Sequence, residues 1–171
     1  PDHNHPESSG IGPLPLNNPN DIRWSTSIGY LTQARHRLNL TIRPNCTVQK
    51  LVFEGMRATG VVVESMGETF TVYGDEIVLS TGPIASPQLL MLSGIGPASH
   101  LAEFGIPVLV DAPGVGQNLR DHVTVHTRWQ AKDDFPMPGT DVGAQKVALR
   151  YTATGSDLRN DMITVVIRNS P

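Results

Sequence analysis

The chain has 171 residues, enough for one ordinary domain with a core of its own. Apolar residues make up 39% and charged residues 17%, the balance of a globular protein and not of a disordered one. A net charge of -3 with scattered Lys and Arg leaves no basic stripe for nucleic acid, and no apolar run approaches the ~20 residues that span a bilayer. The single Cys46 rules out an internal disulfide and a multi-cysteine metal site. With no secretory apolar segment at the start, these features fit a reducing, cytoplasmic setting. The chain begins at Pro1 without Met and ends at Pro171 just after an apolar run, so it reads as an excised piece of a longer protein.

Residues 1–22 are rich in Pro, Gly and Asn, lack periodicity and predict a loop-like leading segment. From Ser25 the spacing of Ile28, Leu31 and Ala34 predicts about three turns of amphipathic helix. Residues 38–43 predict a strand ended by Pro44. Three further strands, over 47–53, 58–64 and 69–73, are separated by glycine-containing connections and predict an antiparallel meander. Residues 76–80 are almost wholly apolar, as in a central strand buried on both faces. A glycine turn at Gly82 follows. Ser86 as N-cap and Pro87 at the first position then open a helix that Gly94 stops.

Residues 97–105 predict a second short helix with Leu101 and Phe104 on one side. Residues 106–110 are extended, at an edge because of Pro107. A glycine-rich loop over 111–121 leads to an alternating, strand-like stretch at 123–130. Beyond a polar, Pro/Gly-rich connection, residues 142–152 predict a helix and 162–168 a strand. The change of style near 122–126 suggests a domain boundary, giving segments 1–24, 25–125 and 126–171.

Dinucleotide binding needs a glycine turn between a buried strand and a long helix, so that backbone amides reach the pyrophosphate. Gly10-Ile11-Gly12, Gly94-Ile95-Gly96 and Gly114-Val115-Gly116 each lack the third glycine and that setting. Ser80-Thr81-Gly82 differs, because small residues end an apolar strand there. Two readings stay open: close approach to a cofactor, or a tight turn that needs small residues for packing. His122 and His126 are four apart beside Asp121, but strand spacing separates them by about 13 Å, which argues against a metal site. His3 and His5 lie in a polar tail, and His36 and His100 in helical segments. No Gly-x-Ser-x-Gly elbow supports a hydrolase. Trp129, Phe135 and Met137 either line a pocket or pack a core.

The run Gly82-Pro83-Ile84-Ala85-Ser86-Pro87-Gln88-Leu89-Leu90-Met91-Leu92-Ser93-Gly94-Ile95-Gly96 resembles the second signature of the glucose-methanol-choline (GMC) oxidoreductases, FAD-dependent alcohol oxidases and dehydrogenases. Gly10-Ile11-Gly12-Pro13 with Asn17-Asn18, Arg23-Trp24-Ser25-Thr26, Ala58-Thr59-Gly60-Val61 and Gly116-Gln117-Asn118-Leu119-Arg120-Asp121-His122 extend the resemblance over most of residues 8–126. Asp21, where glycine is common, and Thr81, where alanine is common, are mild departures.

The resemblance implies an α/β fold of mixed α+β character. It would be the late part of an FAD-binding Rossmann-like domain with an antiparallel meander, followed by the start of a substrate domain. It implies FAD contacts at Ser80, Thr81 and Gly82, and at Asn118, Asp121 and His122, with the Val48 backbone at the adenine end. The implied reaction is hydride transfer from a small-molecule alcohol to flavin. The family's pyrophosphate loop and catalytic histidine have no counterpart among these residues, so the isolated chain is expected to be inactive. A stand-alone nucleotide- or protein-binding module and a flavin lyase like the plant hydroxynitrile lyases are the competing functions. An unpaired sheet edge further predicts an oligomer.

Overall fold

The computed structural model describes residues 5–130, 132–134 and 147–165. In chain order its elements are β1 (Gly10–Pro13), a 3-10 turn (Pro19–Asp21), a π turn (Ser27–Leu31) running into α1 (Thr32–Ala34), β2 (Thr47–Glu54), β3 (Arg57–Ser65), β4 (Glu68–Tyr73), α2 (Gly82–Leu92), β5 (Ile95–Gly96), α3 (Ala98–Glu103), β6 (Val110–Asp111), β7 (Val147–Tyr151) and β8 (Met162–Val165). They fall into two compact units, residues 41–126 and residues 1–40 with 127–171. No described helix is long and apolar enough to cross a membrane.

In the unit of residues 41–126, β2, β3 and β4 form the expected meander, antiparallel throughout. Its connections have the backbone that two-residue hairpins require. Met66 (φ 53) and Gly67 (φ 82) are both left-handed between Ser65 and Glu68, matching the twist of the flanking strands. Helix α2 packs on β2, and the core of the unit is Leu51, Val63, Leu89 and Leu101. Gly94 (φ 87) ends α2, and its carbonyl accepts the amides of Leu109 and Val110 at 2.8 and 3.1 Å. A Cβ there would sit 2.6 Å from the Pro107 carbonyl oxygen, so glycine is required both for conformation and for space. The chain crossing at Gly94 sets up the short parallel pair β5–β6. Asp111 at the end of β6 then accepts the Ala98 amide (3.0 Å) at the start of α3.

In the other unit, β7 is the centre of a three-stranded antiparallel sheet, flanked by β1 and β8. Ala148 and Asn160 are buried there. The Asn160 side chain donates to the Pro6 carbonyl (3.2 Å), and Arg159 pairs with Glu7.

Several expected elements differ. The leading segment is not all loop, because Gly10–Pro13 is a strand by virtue of its pairing with β7. The helix after Ser25 exists, with a π turn and no buried face. Residues 38–43 and 76–80 form no strand, and Leu38 and Val78 are exposed. A strand buried on both faces needs strands paired to it, and no described strand pairs with either run. Residues 123–130 are irregular, with Val123 and Trp129 about nine-tenths exposed or more. Helix α2 starts at Gly82, four residues before Ser86. Pro83 occupies its first turn and Pro87 lies inside it. Phe104 is exposed while Leu101 is buried, so they do not share a packed side. Residues 147–151 are a strand, not the second half of a helix, since two long-range partners outweigh the local preference of Ala148, Leu149 and Arg150. Residues 142–146 and 166–168, with Phe135, Met137 and His3, lie outside the described residues.

Candidate functional site

Two of the segments singled out in the sequence meet in one groove of about 510 Å³, within the unit of residues 41–126. One wall is the start of α2, with Pro83, Ile84, Pro87 and Met91. The other is the loop Gly116, Gln117, Asn118, Leu119 and Arg120. Met91 explains why they meet. Its side chain lies 2.8 Å from where a Cβ on Gly96 would be, and 3.4 Å from the same point on Gly116. Gly96 makes room for the Met91 side chain, and the methyl end of the thioether then reaches ordinary contact distance of Gly116 in the loop.

Gly82 begins α2 at φ 89, and the space where a Cβ would point holds no protein atom within 4 Å. Thr81, the residue before the helix, makes no side-chain cap to it. Its hydroxyl instead shares a hydrogen bond with the Ser86 hydroxyl at 2.9 Å. Ser86 therefore braces the turn before α2 from inside the helix and does not cap it. Asn118 is left-handed (φ 56), a conformation that Asn tolerates better than most residues, and it lines the groove.

Asp121 and His122 lie beyond the lining residues and are almost fully exposed. The Asp121 carboxylate accepts the His122 amide at 2.7 Å, and the imidazole Nδ1 lies 3.5 Å from it. Ser80 is exposed and outside the groove lining. Val48 lies on β2 opposite Val63, beside a register shift, and the groove does not include it. The structure thus gathers the first turns of α2 from Pro83 onward and the 116–120 stretch; of the candidate site residues Asn118 lines the groove, Thr81 and Gly82 precede its lining, and Val48 stays apart on the meander. Gln117 and Arg120 line the groove with Asn118, although in the sequence they stand only within the family-like run and not among the candidate site residues. Among the described residues no group of three His, Cys, Asp or Glu is placed to hold a metal ion.

Ser93 has a different task. Its hydroxyl accepts the Leu51 amide (2.8 Å) and donates to the Leu89 carbonyl (2.6 Å), tying β2 to the end of α2. In the other unit, a second cleft of about 560 Å³ is lined by Asn17, Asn18, Arg23 and Trp24, among others. Asn17 and Trp24 close it through paired bonds: the Trp24 amide to the Asn17 carbonyl (2.9 Å) and the Asn17 side chain to the Trp24 carbonyl (2.8 Å).

A family model described as GMC oxidoreductase matches residues 1–124. An uncharacterised GMC-type oxidoreductase of Rhodococcus erythropolis is 39% identical over 92% of this chain and 33% of its own length. Oxygen-dependent choline dehydrogenase 1 of Chromohalobacter salexigens is 44% identical over 77% of this chain and 24% of its own. Among solved structures, pyridoxine 4-oxidase from Mesorbium loti superimposes with a TM-score of 0.59 at 38% identity, covering 61% of this chain and 21% of that one. An FAD-dependent oxidoreductase from Chaetomium thermophilum gives 0.59 at 33% identity, over 63% and 20%. The chain therefore spans about a third or less of the length of these relatives. Its mixed α/β architecture with an antiparallel meander corresponds to one section of such proteins, and the chain belongs to the GMC oxidoreductase family.

Proposed function

We propose that the full-length protein is an FAD-dependent oxidoreductase that oxidises the CH–OH group of a small-molecule alcohol. Residues 25–125 would supply the later part of its FAD-binding domain, and residues 126–171 the start of its substrate domain. The observation that carries the reading is the groove between the start of α2 and the 116–120 loop, in a chain of this family. The residues present fit a flavin nucleotide. Gly82 leaves open space where a side chain would stand, the first turn of α2 lacks a side-chain cap, and Asn118 and Gln117 offer amides to polar edges. In this reading Ser80, Thr81 and Gly82 let the chain pass close to the cofactor. Asn118 orients it, Asp121 and His122 flank its exposed side, and the Val48 backbone serves the adenine end.

FAD, when bound, supplies the hydride acceptor. The chain's own residues bind and orient it, and no residue described here is assigned the proton transfer. A small alcohol as substrate is supported by the choline dehydrogenases among the relatives.

The test is a spectrum of the full-length protein, followed anaerobically as alcohols are added. Bleaching of a bound flavin by an alcohol is the expected result. A stoichiometric flavin that no alcohol bleaches would favour lyase chemistry, and absence of flavin from the folded protein would overturn the reading. Asn118→Gly keeps the backbone conformation and removes the amide. It is expected to weaken FAD binding on the order of tenfold, the worth of one to two hydrogen bonds.

A further inference from the structure

The two edges of the meander are built differently. The β2 edge is broken by register shifts between Val48 and Lys50 and between Val52 and Phe53, carries Lys50, and has its Leu51 amide taken by Ser93. Bulges, an edge lysine and a covering element are the devices by which sheets avoid adding a strand. Among the described residues the β4 edge has none of them. Its sequence, Glu68-Thr69-Phe70-Thr71-Val72-Tyr73, is β-branched and aromatic without Pro or Lys, and its register with β3 is unbroken.

The outward groups of β4 follow from one bond. The Gly74 amide donates to the Thr59 carbonyl at 3.0 Å, and the ladder continues from Gly60 opposite Tyr73. Hydrogen-bonded positions alternate along an antiparallel pair. Phe70 and Val72 therefore bond inward to β3, and Thr69, Thr71 and Tyr73 present their amides and carbonyls outward.

We propose that β4 pairs antiparallel with β4 of a second copy of this chain, with Thr71 on the two-fold axis. That register bonds Thr69 to Tyr73 of the second copy, Thr71 to Thr71, and Tyr73 to Thr69. It sets Phe70 against Val72, an aromatic and β-branched pair of the favourable kind. It sets Glu68 opposite Gly74 and Asp75 opposite Gly67, so no like charges face each other. Moving the axis to Val72 places Glu68 opposite Glu76, which selects against that alternative. The second copy is the occupant argued for because this strand is complementary to itself in outward bonds, side-chain pairing and charge. The inference rests on the meander alone and not on the proposed chemistry.

The test is sedimentation equilibrium of the purified chain over a wide concentration range, with reductant present so that Cys46 cannot cross-link copies. A reversible dimer is expected, with amide exchange at Thr69, Thr71 and Tyr73 slowing as the dimer forms. Thr71→Lys opposes two ammonium groups on the axis and is expected to weaken association by about tenfold or more. Thr71→Pro removes only an outward donor, as an edge strand tolerates, and is expected to do the same with the monomer still folded by circular dichroism. A monomer at all concentrations would overturn the proposal, as would a dimer that both variants leave intact. Concentration-independent exchange at those three amides would also overturn it.

Discussion

Asp161 shows how one exposed side chain organises a loop. Its carboxylate accepts the Ala153 amide at 2.9 Å, across the connection between β7 and β8. That backbone bond, with a contribution from the Ser156 side chain, lowers its pKa below the ordinary carboxylate value. Because the folded value lies below the unfolded one, the stabilisation is fully present above the unfolded pKa. It is lost as pH falls through the folded pKa, below about 4. The carboxyl resonance of Asp161 is therefore expected to titrate lower than that of a flexible aspartate, with the Ala153 amide shift following it. Asp161→Asn should abolish this component of the acid sensitivity of the hairpin. A titration at or above the ordinary value would contradict the assignment. Nothing in the sequence marked Asp161, since its partner is a backbone amide eight residues away and any loop residue supplies one.

At the scale of elements, the serine near the end of the family signature is a structural tie. Ser93 satisfies the Leu51 amide, and Leu51 belongs to the buried core. Replacing it with Ala leaves a poorly solvated donor without a partner, a loss of about 1–3 kcal/mol. Ser93→Ala is expected to lower the denaturant midpoint of the chain by that much and to speed exchange of the Leu51 amide, while Ser93→Thr, which keeps the hydroxyl, restores both. Equal stability of all three proteins would show that the bond contributes nothing.

The same scale explains what the sequence made legible. Strands β2 to β4 could be read because each pairs with its sequence neighbour and the turns between them carry glycine. The stop at Gly94 could be read because a left-handed position at a helix end calls for glycine. The start of α2 could not. Ser86 and Pro87 look like a cap and a first position, whereas Pro83 already begins the helix and the Ser86 hydroxyl reaches back to Thr81. Likewise β7 looks helical locally and is a strand only through partners at residues 10–13 and 162–165. In the candidate site, the 82–87 and 116–120 stretches were visible as motifs. That Met91 joins them was not, because it depends on Gly96 making room for a side chain that then reaches Gly116, twenty-five residues along the chain from Met91.

For the whole molecule, the three apolar or alternating runs that fail to form strands share one cause. Residues 38–43, 76–80 and 123–130 have the composition of strands, yet none of them pairs with a described strand. A hairpin carries its partner with it, whereas a strand of a parallel sheet depends on segments distant in sequence. This chain spans only a third of the length of its Rhodococcus relative, so those segments are to be sought in the remaining length of the family fold. In a chain extended to that length, the amides of Ile42, Val78 and Leu79 are expected to become protected from hydrogen exchange. In the 171-residue chain they should exchange at near-unprotected rates, while those of β3 stay slow in both. Protection of Val78 and Leu79 in the short chain would mean that they find a partner within it. Lack of protection in the extended chain would mean that their apolar sequence serves something other than a central strand.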